Sequence, residues 1–311
     1  MDSIAQNHST EEREGPIVRL PLELHVQIAR KIKLKHRVML HYVSRYFRQV
    51  LSLSLVNLDL SKFDMDFIVE KILPILQQSD TPFLRTVSLA GQNMIGYTAQ
   101  LEDELHLIKA DSLTSLNLSR THISGSVTYA LSRLTNLTSL NLRYTKIGDT
   151  TLMHISNLTK LETLLIRSAY IDERREDVLT DQGMLCLTSL TNLRVLEYSQ
   201  GRSELGRVVG SQLSCIVPLT NLVRLSLPNN DLTIHSFTSL AGKVPQSIEV
   251  LNLSWCIWLD INAFVDLLSE FKSLRTLHFV GAEPKMILQF PHYTVKQKYP
   301  TLVVNFTDPV I

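Results

Sequence analysis

Between Leu113 and Ile171 the chain writes one arrangement of apolar positions three times, each copy 24 residues after the last. The copies are Leu113, Leu116, Leu118, Ile123; then Leu137, Leu140, Leu142, Ile147; then Leu161, Leu164, Ile166, Ile171. The second and third apolar residues of each copy are separated by one position, which predicts a short strand with alternate side chains turned inward. The register extends both ways, through Leu84, Val87, Leu89, Met94 and Leu55, Leu58, Leu60, Met65 on one side, and through copies starting at Leu193, Leu222, Ile248 and Leu274 on the other. In these nine copies all 27 of the first three positions are apolar, against 44% in the chain, so chance does not account for them. The fourth position fails at Ser203 and Pro284. Between strands lie apolar stripes at helical spacing: Phe67, Ile68, Ile72, Leu76; Val127, Leu131, Leu134; Leu152, Ile155, Leu158; and Phe264, Leu267, Leu268, Phe271. Leu302, Val304 and Phe306 alternate as one last strand covering the open end.

This pattern is that of a leucine-rich repeat. It implies an α/β solenoid over residues 53–311, with about nine repeats and a C-terminal cap, a curved parallel sheet, and helices on the convex side. Each helix buries its stripe on the strand layer, so the core is spread along the array.

Ahead of the repeats the text changes twice. Residues 1–15 hold too few apolar groups to offset the entropy of ordering and read as a disordered tail. Residues 16–52 then read as three short helices. Pro21 begins the first, which carries Leu24, Ile28 and Ile32 in a line; Val38–Val43 forms the second; Ser44 caps the third. So small a unit needs outside support, which the first repeat is expected to give. Leu20–Pro21, Glu23–Leu24, Ile28 and Val43–Ser44–Arg45, with Phe47 where Trp is usual, resemble the F-box. Departures are Lys33, Leu34, Lys35, His36 in place of an acidic, proline-containing link, and Arg37 in place of Leu. The resemblance implies docking on a Skp-type linker of a cullin ubiquitin ligase, through or supported by Leu20, Pro21, Leu24, Ile28 and Val43, with the repeats holding a target protein. The other reading open at this point is a plain helical cap on the solenoid, the chain being a scaffold without ligase subunits.

Charge sharpens the division. The chain totals +1, yet residues 17–52 carry eight basic side chains and one acidic, a net +7. That local excess calls for a solvated face or an acidic partner. The three cysteines, Cys186, Cys215 and Cys256, are far apart, which suits a reducing compartment, and no stretch has the length and apolarity of a secretory signal or a membrane span. The expectation is a soluble cytoplasmic or nuclear protein with no membrane or nucleic-acid partner. Phosphate-cradling glycine loops, paired histidines at helix spacing and Gly-x-Ser-x-Gly elbows are missing, so the expectation is no enzyme, no cofactor and no metal. The Asn-x-Ser/Thr triplets at Asn117, Asn136, Asn157 and Asn252 are repeat positions rather than glycosylation signals.

Candidate binding residues come from reading outward strand positions as columns on the concave face. One column runs Ser119, Arg143, Arg167, Ser199, Pro228, Ser254, Val280; its neighbour runs Arg120, Tyr144, Ser168, Gln200, Asn229, Trp255, Gly281. Arg120, Arg143, Tyr144 and Arg167 fall together, a cluster of like charge that either waits for an acidic or phosphorylated segment or splays into water. Trp255 is an aromatic anchor, or packs against Trp258. Excess length in two repeats lies on one rim, at Ile171–Val178 and Gly201–Gly210, the binding side of an array or loops that merely tolerate length. A GTPase-activating role ranks low, because the ninth repeat position reads Thr121, Thr145, Ala169 and Cys256, with asparagine only at Asn230.

Overall fold

The computed structural model describes residues 20–78, 81–92, 112–121, 123, 129–168, 178–200, 208–240, 242–256 and 259–307. The expected tail, Met94, Val127, Trp258, and most of both rim insertions lie outside the described residues. The chain divides into two compact units between Leu55 and Val56.

In the N-terminal unit, α1 (Leu22–Lys31) starts after Pro21, whose extended backbone and missing N–H suit a helix entry. The second helix is placed differently from the expected Val38–Val43: α2 covers Leu34–Met39 and runs on as a tight 3-10 turn over Leu40–Tyr42. The break falls at the extended Lys33, and no glycine or proline stops the helix from starting directly after it. Ser44, extended at φ −161, ends that run and caps α3 (Arg45–Ser54), its Oγ accepting from the Phe47 N–H at 3.2 Å. Val26, Ala29 and Val50 form the core, with Leu22, Leu40, Tyr46, Phe47 and Leu53 packed against them. The line of Leu24, Ile28 and Ile32 is on the other side of α1, 42%, 50% and 37% exposed.

The second unit is a sheet of ten parallel strands whose spatial order is the chain order. They are β1 Asn57–Asp59, β2 Thr86–Ser88, β3 Ser115–Asn117, β4 Ser139–Thr145, β5 Thr163–Ser168, β6 Val195–Ser199, β7 Arg224–Ser226, β8 Val250–Asn252, β9 Thr276–His278 and β10 Val303–Asn305. Every strand that the apolar spacing predicts is present and in register: Leu116 pairs with Leu140, Leu140 with Leu164, Leu164 with Leu196, and Leu225 with Leu251. The inward residues of β1–β9 are buried, and so are the helical residues Ile68, Ile72, Leu131, Leu152, Ile155 and Leu268, whereas Val304 of the last strand is half-buried. Near β9, Phe264 is fully buried between Phe237 and Phe279, at ring separations of 5.0 and 5.7 Å. The fold is an α/β leucine-rich-repeat solenoid.

Polar side chains tie consecutive repeats where backbone groups would otherwise be orphaned. The buried Asn230 donates to the carbonyls of Tyr198 at 2.8 Å and Leu227 at 3.2 Å and accepts from the Gln200 N–H at 3.2 Å. Other ninth-position residues do part of this work: the Cys256 thiol lies 3.2 Å from the Leu227 carbonyl, and the hydroxyls of Thr121 and Thr145 donate to Leu118 and Leu142. Asp181, also buried, accepts from the N–H groups of Val209 and Gly210 and from the Ser211 hydroxyl. Tyr198 stands where the repeat usually has an aliphatic residue and donates its hydroxyl to the Thr180 carbonyl at 2.8 Å. Burial, with the Asp149 carboxylate nearby, raises the pKa of this phenol well above its ordinary value.

Candidate functional site on the outer sheet face

The outward side chains fall into columns because successive strands pair residue for residue. The middle outward column, between the second and third apolar residues of each repeat, carries Asp59, Asn117, Asn141 and Asn252, whose side-chain oxygens accept the N–H two residues on, in Ser61, Ser119, Arg143 and Ser254, at 3.0–3.1 Å. This turn explains why Leu-Asn-Leu recurs in the text. From β5 to β7 the column reads Leu165, Glu197 and Ser226, and at β9 it reads His278. These four line a hollow of about 380 Å³ together with Arg143, Arg224 and Asn252. Burial, then the neighbouring Arg224, lowers the pKa of His278, which disfavours the charged ring.

The two predicted binding columns are not alike. Arg143 and Arg167 are strand residues, paired side by side across β4 and β5. Arg120 and Trp255 are turn residues and Tyr144 lies at a bulge within β4, all three with left-handed backbone, at φ 59, 63 and 58; Asn229 in the same column is at φ 56. Two adjacent residues of a regular strand cannot both face outward; at Arg120 and Trp255 the strand has already ended, and at Tyr144 it is bulged. At Tyr144 the register with β5 slips by one, a bulge that thrusts the ring forward. Gly91 and Gly281, both at φ 77, are what local preference puts at this repeat position. Arg, Tyr and Trp held there cost about 1–2 kcal/mol each by that preference.

The predicted arginine cluster separates accordingly. Arg143 reaches across β5 and forms an ion pair with Glu197 on β6, its Nε donating at 3.1 Å. Arg120 and Arg167 flank Tyr144 from the preceding and following repeats, their guanidinium carbons 5.0 and 4.9 Å from the ring centroid. Among the described residues no carboxylate pairs with either. Trp255 is four strands away, 40% exposed, its indole lying on Gly281. Glu197, Arg224 and His278 were not among the expected site residues; reading the middle strand column would have found Glu197 and His278, and the column two residues before it Arg224.

In the N-terminal unit, Leu20, Leu24, Ile28 and Val43 are exposed, at 39%, 42%, 50% and 64%, and Pro21 is exposed beside them. Arg37 is buried and donates to the Ser54 carbonyl at 3.4 Å. Burial, then Arg30, lowers its pKa. Among the described residues no group of three or more potential metal ligands occurs, and no helix is long and apolar enough to cross a membrane.

No protein-family profile and no curated protein sequence matches this chain. Among solved structures, it is similar to an internalin from Listeria monocytogenes strain 4b F2365, with 18% identity over 77% of this chain and 71% of that one at a TM-score of 0.42. It is also similar to TLR13 in a complex with the single-stranded RNA ssRNA13, with 19% identity over 78% of this chain and 38% of that one at a TM-score of 0.47.

Proposed function

We propose that this chain acts by binding, as a leucine-rich-repeat interaction scaffold whose outer sheet face receives a segment of a partner protein. The observation that carries this is the hollow over β4–β9, where the turn-forming asparagine column gives way to Leu165, Glu197 and His278. The face mixes apolar, charged and hydrogen-bonding groups and carries no constellation for covalent chemistry among the described residues. A photo-crosslinking residue in place of Ser226, inside the hollow, should capture polypeptide that a crosslinker in place of the exposed Met153 does not. Equal capture at both positions would remove the sheet face as the binding surface.

The finer reading is that of a substrate receptor, residues 20–51 docking on a Skp-type linker of a cullin ubiquitin ligase while the sheet face holds the target. What supports it is the F-box resemblance together with the outward placement of Leu20, Leu24, Ile28 and Val43, an apolar line that the unit's own core does not use. The test is co-purification of linker and cullin with the intact chain beside the pair Leu20→Ala, Pro21→Ala, with circular dichroism to show that both are folded. Linker held by the intact chain and lost by the folded pair is the expected result. No linker captured by the intact chain leaves the scaffold alone.

A further inference from the structure

We infer that Arg120, Tyr144 and Arg167 form a binding site for a phosphate monoester carried by a partner polypeptide. This deepens the scaffold reading and rests on it. Two observations carry the inference. The first is that the cluster sorts its charges: Arg143 is neutralised by Glu197, whereas Arg120 and Arg167 converge on one tyrosine ring with no carboxylate partner among the described residues. Like charges brought to one ring repel, and an anion between them removes the repulsion.

The second is that Arg120 and Tyr144 occupy left-handed backbone at the repeat position where Gly91 and Gly281 sit elsewhere in the array. Side chains kept against local backbone preference mark a use for the side chain. The bulge at Tyr144 and the turn at Arg120 bring both to the exposed margin of the sheet, with Arg167 beside them on β5.

The donors select the ligand. The two guanidiniums come from different repeats and the phenol lies between them, so a ligand must reach three groups at once. A phosphate monoester has three acceptor oxygens and close to two negative charges, one oxygen for each donor. A carboxylate has two oxygens and one charge, so it leaves one of the three donors without an oxygen of its own and one of the two positive charges unbalanced.

The test uses the whole chain and four fluorescent probes. Three are degenerate decapeptide pools, identical but for a central phosphoserine, glutamate or serine; the fourth is a 5′-phosphorylated RNA decamer. Binding is read by anisotropy for the wild type, for the pair Arg120→Gly, Arg167→Gln, and for Arg143→Gln. Arg120→Gly removes the guanidinium and relaxes the backbone, so this pair stays folded. The expected result is the phosphoserine pool bound about tenfold more tightly than the serine pool, the glutamate pool in between, the preference lost in the pair and kept in Arg143→Gln. Equal binding of phosphoserine and serine pools, or equal loss on Arg143→Gln, overturns the site but leaves the scaffold standing if the serine pool still binds. Tighter binding of the RNA through the same residues overturns the polypeptide assignment. No binding of any peptide pool overturns both site and scaffold.

Discussion

The indole of Trp255 occupies the space where Gly281 would carry a β-carbon: an atom built there meets Trp255 Cε3 at 2.3 Å. Gly281 is also at φ 77, so Gly281→Ala meets both a backbone cost and a ring that must move. The substitution should lower stability by about 1–3 kcal/mol and shift the Trp255 emission, read in a Trp258→Phe background. An unchanged urea midpoint and spectrum would show that the indole does not rest on this glycine.

Asn230 bridges two repeats through three hydrogen bonds, and its removal leaves the Tyr198 carbonyl and the Gln200 N–H short of a partner and the Leu227 carbonyl with the Cys256 thiol in place of the amide. Asn230→Ala should cost about 2–3 kcal/mol in urea unfolding. Thr145→Ala, which removes one donor bonded within its own repeat, should cost less than half of that.

His41 is buried, and its Nδ1 has no hydrogen-bond partner among the described residues. Burial, then Arg48, lowers its pKa. The unfolded chain takes up this proton near pH 6.5 and the folded chain resists it until lower pH, so the unfolded state binds more protons in that window. Stability of the N-terminal unit is therefore full above pH 6.5 and falls as the pH drops through it. His41→Leu should flatten this part of the profile, measured by hydrogen exchange of the α1 and α3 amides between pH 7.5 and 5. A wild-type profile as flat as that of the variant would contradict the assignment.

Cys215 and Cys256 are buried, and burial pushes both thiols up to about 12. Cys186 is half-buried, its thiol raised as well, by burial first and then by Asp149. At pH 8 a thiol-specific reagent should therefore label Cys186 first, more slowly than free cysteine, and reach the other two only on unfolding. Mass spectrometry of the labelled chain checks the order.

The repeat array was legible because a strand with one buried face fixes its register through the alternation of apolar residues, and every copy from Leu55 to Leu274 obeys it. The site was legible only in part. Arg120, Tyr144 and Arg167 fall together by counting repeats alone, but the left-handed backbone that presents Arg120 and Tyr144 belongs to the path of the chain at the strand's end, which side-chain type does not announce. Arg143 and Glu197 are 54 residues apart, and only the lateral reach of a long side chain across β5 joins them. In the N-terminal unit the spacing of Leu24, Ile28 and Ile32 marks a helix correctly, yet periodicity does not say which apolar line is covered; here the core takes Val26 and Ala29.

The order of the strands has a further consequence. Each neighbour in the sheet is also the neighbour in the chain, so distance along the outer face is counted in repeats, about 4.8 Å for each. Gain or loss of one repeat by gene duplication or deletion would lengthen or shorten the span between the tyrosine at β4 and the tryptophan after β8 by one such step, leaving every remaining interface between repeats as it was. The fold thus works as a ruler that heredity can regraduate, and the spacing of a partner's recognition elements is set by how many divisions lie between two marks.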